Sequence, residues 1–322
     1  MTARVFIDGE AGTTGLQIKQ RLEGRADLTL VSLGEAERKN PQRRAEMLNG
    51  ADLVILCLPD EAAREAVAMI DNDAVRIIDA SCAHRTEPGW VYGMPEYDAA
   101  QAARIAAAKR VSNPGCYALT AVAILHPLVS KGVMAADFPV TINAVSGYSG
   151  GGKQLIAAFE DAGSADYTET PFRVYGLGLN HKHLAEIQAW SGLKHAPLFV
   201  PSVGRFRQGM IVQVPLQLWA MKGSPRPGDV HGALAEHYQG RRFVKVNPLA
   251  ASAAMSGLEP QGLNGTCELH LHVFANDGAG QVVVMGLIDN LGKGASGQAV
   301  QNMNLVLGLG ESEGLEMAAL FP

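Results

Sequence analysis

Residues 4–80 alternate between short apolar runs and helical stretches, a pattern that few folds accept. A strand at Arg4–Ile7 leads into a glycine-rich turn and a helix from about Thr14 to Leu22. A strand near Leu28–Leu33, a helix near Gln42–Leu48 and a strand Leu53–Leu58 follow. A helix Glu61–Ile70 and a strand Val75–Ala80 complete the series. Such alternation predicts an α/β fold, a Rossmann-type, doubly wound parallel sheet covered by helices on both faces. At 322 residues the chain is too long for one ordinary core, so a second domain is expected.

The remaining composition excludes several classes. A net charge of -5 argues against a general nucleic-acid binder, which needs a basic face. No apolar run approaches the ~20 residues a membrane helix requires. The N-terminus enters its first strand without a signal-peptide pattern, so a cytoplasmic protein is expected. Four widely spaced cysteines, Cys57, Cys82, Cys116 and Cys267, form no Cys-x-x-Cys pair and suit a reducing compartment.

The turn after the first strand reads Gly9-Glu10-Ala11-Gly12-Thr13-Thr14-Gly15. Small residues there let the backbone approach a pyrophosphate, which rests on the amides opening the next helix. Gly9, Gly12, Thr13, Thr14 and Gly15 are therefore candidate cofactor residues. NAD enzymes often carry Asp or Glu at the end of the second strand for the ribose hydroxyls. Here that strand ends in Ser32-Leu33-Gly34, and the next basic pair is Arg38-Lys39. The pair favours NADP (NADPH), whose 2′-phosphate wants cations, although Glu35 and Glu37 lie beside it.

Ser112-Asn113-Pro114-Gly115-Cys116-Tyr117 places a cysteine just after a strand and at the start of an apolar helix, Ala118–Leu125. Pro114 suits a first helical turn. Unpaired amides and the positive helix end favour the thiolate, the nucleophilic form. A small cysteine filling a helix start is the other reading, and the residues alone leave both open. Cys57 and Cys267 read as structural cysteines within strands; Cys82 follows a strand end but lacks the helix start.

The nucleotide turn, the Asn-Pro-Gly-Cys helix start and the segment Asp289-Asn290-Leu291-Gly292-Lys293-Gly294 coincide in one chain. Together they resemble the N-acetyl-gamma-glutamyl-phosphate reductases of arginine biosynthesis, particularly their shorter type, within the semialdehyde dehydrogenase superfamily. The likeness runs over essentially the whole chain. It implies NADPH-dependent reduction of an acyl phosphate to an aldehyde, with Cys116 as nucleophile and a thioester intermediate. It implies His181 as the acid/base, with His183 as the reserve and Glu186 tuning the site; the segment is His181-Lys182-His183-Leu184-Ala185-Glu186. Ser81 and Arg85 match the family's Ser-x-x-x-Arg and become candidate phosphate residues, a role that suits a planar guanidinium. The likeness also assigns Asn290 and Gly294 to the nicotinamide, and puts Ser146 and Gly147 nearest the cysteine. Asn113 joins the substrate candidates, and Arg205 and Arg207 are candidates for a substrate carboxylate.

The domain boundaries expected are 1–115 for NADP binding, rejoined by 289–322, and 116–288 for an α+β catalytic and dimerisation domain with a mixed sheet. Its strand-like runs are Val140–Val145, Leu198–Val203, Met210–Leu218, Cys267–Phe274 and Gln281–Ile288. His270 and His272 are expected on the polar face of a half-exposed sheet. A homodimer or homotetramer fits such a domain. The alternatives are the same reaction on N-acetyl-aminoadipyl or aspartyl phosphate, or an NADP-binding redox sensor without turnover. No metal is expected, since His-x-His with no third ligand nearby is poor evidence for one.

Overall fold

A computed structural model of the chain describes residues 2–34, 37, 38 and 40–315. It divides into two compact units. The first takes the chain up to Pro95, then Ala99–Gly115, and resumes at Ala295; the second holds Glu96–Asp98 and Cys116–Gly294.

The first unit opens with β1 (Ala3–Asp8), α1 (Thr13–Leu22), β2 (Leu28–Val31), α2 (Pro41–Gly50), β3 (Leu53–Leu56), α3 (Asp60–Ala68) and β4 (Arg76–Asp79). Then come β5 (Val91–Tyr92), α4 (Gln101–Ala107) and β6 (Arg110–Ser112). The six strands run in the order β2-β1-β3-β4-β6-β5, all parallel, as the alternation requires. Strand order reverses beside β1, the crevice where such sheets bind ligands. Every residue of β3 is buried, and Phe6, Leu48, Val54, Leu56, Ala63 and Ile77 share one core. The strands are shorter than the apolar runs. Cys57 accordingly follows β3 instead of lying in it, because buried turns at strand ends are as apolar as the strands.

The second unit begins with α5 (Cys116–Ser130), followed by β7 (Thr141–Gly147), α6 (Gly152–Glu160), β8 (Phe172–Val174) and α7 (Leu184–Ser191). It continues with β9 (Leu198–Gly204), β10 (Met210–Gln217), α8 (Pro227–His237), β11 (Val244–Val246), α9 (Leu249–Ala253), β12 (Leu269–Asn276) and β13 (Gln281–Ile288). The seven-stranded mixed sheet has the order β11-β12-β13-β10-β7-β9-β8. Helix α5 is apolar all round and buried along most of its length, as a core helix should be. It presses onto β13 at Gly286, where an added Cβ would lie 2.3 Å from Thr120 Cγ2. Cys116 is its first residue, so Pro114 stands ahead of the helix, not in its first turn.

Three local expectations are corrected. Ser146 and Gly147 close β7 instead of following a strand that ends at Val145, and a short turn over residues 148–151 leads into α6. Cys267 precedes β12 and is buried. His272 is also buried, its ring nitrogen meeting Asn247 Nδ2 at 3.2 Å, whereas His270 is half-buried beside Glu268.

The chain returns to the first unit through a π-helical turn, Gly292–Ser296, and α10 (Gly297–Leu307). This helix buries four amide side chains, Gln298, Gln301, Asn302 and Asn304, among its apolar ones. Asn302 Nδ2 donates to Gly93 O and Asn113 Oδ1, fixing the strand ends before Cys116.

Candidate active site

At the end of β1 the glycine turn is sterically determined. Gly9 has φ +93°, and a Cβ there would lie 2.3 Å from Cys57 O. A Cβ on Gly15 would lie 2.4 Å from Gly9 O, whereas one on Gly12 would stay 3.3 Å from it. Helix α1 therefore starts against the turn, with Gly12 as its cap, no capping side chain and no acid in its first turn. Its opening amides, those of Thr13, Thr14 and Gly15, suit an anion. A cavity of about 230 Å³ adjoins the turn, lined by Asp8, Gly9, Glu10, Leu33, Arg38 and Arg44 among others. Arg44 Nε donates to Asp8 Oδ2 at 2.7 Å; burial still raises the Asp8 carboxyl, against the pull of Arg44. Ser32 Oγ and Lys19 Nζ donate to Glu10, so the carboxylates named here carry donors. Lys39 lies outside the described residues.

At the end of β4, Asp79 is wholly buried and accepts from the Ser81 amide, Ser81 Oγ and His84 Nδ1, the last at 2.6 Å. His84 stacks on Trp90 at 4.1 Å. Ser81 thus shapes the loop through Asp79. Arg85 is buried too, with Nε donating to Asn113 O, Nη2 to Ala80 O, and Nη1 facing Cys82 Sγ at 3.4 Å. Asn113 spends its side chain locally, donating to Ala295 O and accepting from Asn302. Cys57 is a different kind of thiol from a helix-start cysteine. Burial pushes it well above the ordinary range, with Asp79 and Asp8 adding to the shift.

Cys116 is half-buried at the head of α5, among aromatic hydroxyls. Tyr175 donates to the Tyr117 hydroxyl at 3.2 Å, and Tyr117 to Ser202 O at 3.2 Å. Burial first, then the charges of Tyr175 and Cys116, hold the Tyr117 phenol well above its usual range. Burial, with the Cys116 charge, pushes Tyr175 up to about 12. Both phenols therefore stay protonated beside the thiol. Tyr117 stands next to the cysteine, yet nothing in its type marks a role; Tyr175 carries no periodic or motif signal.

His181 packs edge-on to Tyr117, His183 and Phe199, with centroids at 5.8, 4.8 and 5.0 Å. The His183 amide donates to His181 Nδ1 at 3.1 Å, which leaves the neutral ring's proton on Nε2. Burial, then the Lys182 charge, pulls His181 down to about 4. The ring is neutral at working pH, unlike the near-neutral titration its residue type suggests. His183 is buried and caps α7, and Glu186 is buried in that helix's first turn.

At the end of β7, Ser146 Oγ donates to Gly147 O, and a Cβ on Gly147 would lie 2.5 Å from Arg207 O. Arg205 and Arg207 are exposed; Arg205 holds Thr168 O, and Arg207 pairs with Glu160 at 2.5 Å. Asn290 is buried, accepting from Gly209 N at 2.7 Å and donating to Ser149 Oγ. A Cβ on Gly294 would lie 2.8 Å from Cys116 Cβ, so this glycine lets the turn abut the Cys116 side chain. Among the described residues no group of three or more His, Cys, Asp or Glu side chains is placed to hold a metal.

Comparison with known proteins gives the family. Residues 34–105 match the family described as "Semialdehyde dehydrogenase, NAD binding domain", and 116–290 match "Semialdehyde dehydrogenase, dimerisation domain". The chain is 54% identical to N-acetyl-gamma-glutamyl-phosphate reductase 2 of Pseudomonas putida, over 97% of this chain and 99% of that protein. It is 55% identical to the Burkholderia ambifaria N-acetyl-gamma-glutamyl-phosphate reductase, covering 95% and 96% respectively. Among solved structures it is similar to aspartate semialdehyde dehydrogenase II from Vibrio cholerae, with TM-score 0.70 and 13% identity over 95% of this chain and 98% of that one. That identity supports the fold alone. The chain therefore belongs to the semialdehyde dehydrogenases and, within them, to the N-acetyl-gamma-glutamyl-phosphate reductases.

Proposed function

We propose that this chain reduces N-acetyl-L-glutamyl 5-phosphate to N-acetyl-L-glutamate 5-semialdehyde and phosphate, in arginine biosynthesis, through a thioester on Cys116. The observation that carries the reading is a cysteine at the first position of a buried helix, beside two protonated tyrosines on which a neutral histidine packs, in a chain 54% identical to a reductase of that name.

The Cys116 thiolate, favoured by the helix-end amides, attacks the acyl carbon, and the phosphate leaves with its bonding pair. His181, held with Nε2–H outward, donates a hydrogen bond to the acyl oxygen as negative charge gathers there. The nicotinamide cofactor, when bound, supplies the hydride that converts the thioester to a hemithioacetal. Its oxyanion then reforms the carbonyl and expels the thiolate, giving the aldehyde. Glu186, buried one turn along from His183, tunes this side of the site. Arg85, Arg205 and Arg207 are the proposed partners for the substrate's phosphate and carboxylate. Ser81, Asn113, Ser146 and Gly147 are the further substrate residues proposed.

The first unit's residues fit a dinucleotide: the clash-limited Gly9 and Gly15, the uncapped start of α1 and the adjoining cavity. Arg38 and Arg44 on that cavity, with Ser32 following β2 in place of an acid, support NADP as the form used. Asn290 and Gly294 are proposed to face the nicotinamide. We also assign a homodimer or homotetramer, supported by the bare apolar residues on and after the edge strand β8, Phe172, Val174, Leu177 and Leu179. No helix among the described residues is long and apolar enough to cross a membrane, and a cytoplasmic setting fits the reducing chemistry of Cys116.

The test runs the reaction backwards, with N-acetylglutamate semialdehyde and NADP, with and without phosphate. Phosphate-dependent NADPH formation that disappears in Cys116→Ser is expected. Tight cofactor binding without turnover would sink the substrate assignment.

A further inference from the structure

Lys293 is completely buried, and its ammonium donates to Glu96 Oε1 at 2.8 Å; Glu96 is only 2% exposed. Such a pair pays a large desolvation cost, and apolar replacements of similar volume are often neutral or stabilising. Fold stability alone therefore gives little reason to bury it. The proposed reaction uses neither group.

Its location supplies a reason. Glu96 belongs to the three-residue segment Glu96–Asp98, which packs in the second unit although the chain on both sides belongs to the first. The segment is clamped there. Tyr97 stacks on His126 of α5 at 4.0 Å and meets Trp190 of α7 edge-on at 5.6 Å, and Arg241 Nη2 donates to Asp98 O at 2.9 Å. The carboxylate is thus presented from a fixed base. Lys293 stands in the π-helical turn between two glycines that have no side chains to anchor them. A Cβ on Gly292 would lie 2.2 Å from Thr266 O, and one on Gly294 lies against Cys116 Cβ. π-Turns are concentrated at functional sites. Lys293 is the long side chain that ties this glycine-flanked backbone to a rigid partner.

We propose that the buried Glu96–Lys293 ion pair is a positioning latch, which pins the π-turn against Cys116 and so sets the direction of the thiolate at the acyl carbon. Both are positioning residues, acting on the nucleophile through the Gly294 backbone. The kinetic part of the idea rests on the reductase reading; the geometric part does not.

The experiment compares Lys293→Met, Glu96→Gln and the double variant Glu96→Leu/Lys293→Met. Each is followed by thermal unfolding, steady-state kinetics and the rate of Cys116 alkylation by iodoacetamide at fixed pH. Each single variant removes one member of the buried ion pair while the other charge stays buried, and is expected to lower Tm by about 10 °C. The double variant removes both charges and is expected to regain most of that Tm. Its kcat should nevertheless stay about 100-fold low, with KM changed less than about twofold, as for a misplaced reacting group. Its alkylation rate should fall by about tenfold, the scale of a thiolate moved off helix-end amides. A double variant that recovers Tm, kcat and alkylation together would overturn the latch and leave the pair as a support of the fold. Alkylation needs no substrate, so a wild type without turnover would defeat the reductase reading while the latch remained testable.

Discussion

His181 and His183 share a short segment but not an environment. The bond that orients His181 comes from the backbone amide of His183, so it survives truncation of the His183 side chain. His181 itself is held neutral, with its proton on the nitrogen away from that bond. His181→Ala is therefore expected to lower kcat by about 10²–10³-fold, the usual loss for one oxyanion donor, with cofactor binding intact. His183→Ala should cost much less. Steady-state kinetics of both variants check this, and the opposite ranking would transfer the role to His183. The family likeness put His181 first and His183 in reserve, but the residues alone could not rank them, because the choice depends on burial and on one backbone bond.

At the scale of elements, the β1–α1 turn was the most legible feature, since close backbone approach leaves glycine as the residue that fits. The structure adds that its glycines are not equivalent. A Cβ on Gly15 would collide with the turn's own carbonyl, and one on Gly12 would only be close to it. Gly15→Ala is expected to weaken NADP binding by tenfold or more, about the effect of shifting the amides opening α1. Gly12→Ala should stay within about threefold, because a Cβ at 3.3 Å asks only a small adjustment. Fluorescence titration with NADPH separates the two; equal losses would mean that the turn is not the phosphate cradle. The returning helix α10 shows the opposite kind of element. Its buried amides, such as Asn302 reaching Gly93 and Asn113, have no periodic signature.

For the whole molecule, the histidines link stability to pH. Burial holds His126 and His181 down to about 4, and His237 and His272 below their ordinary value. The groups acting on His126 are His237, which adds to its depression, and Asp98, which opposes it. Unfolding frees these rings to take up protons near their ordinary pKa of ~6.5. Between about pH 6.5 and 4 the unfolded chain thus binds more protons, so stability rises with pH across that window. The contribution is present above pH ~6.5 and is lost as pH falls towards 4. Thermal unfolding from pH 8 to 4 should show Tm falling below pH ~6.5, and His126→Gln should flatten the fall. An unchanged slope in that variant would remove His126 from the account.

Read alone, the sequence determined what short-range geometry controls: the parallel α/β alternation, the glycine turn ahead of α1, and a cysteine opening an apolar helix. Each follows from sterics and periodicity within a few neighbouring residues. The tertiary structure decided what depends on distant groups and on water being excluded. It brought Tyr175 onto Tyr117, set the charge state of His181, and paired Glu96 with Lys293 across 197 positions of chain. A side chain's protonation and partner are set by whatever folding packs around it, and no local pattern records that.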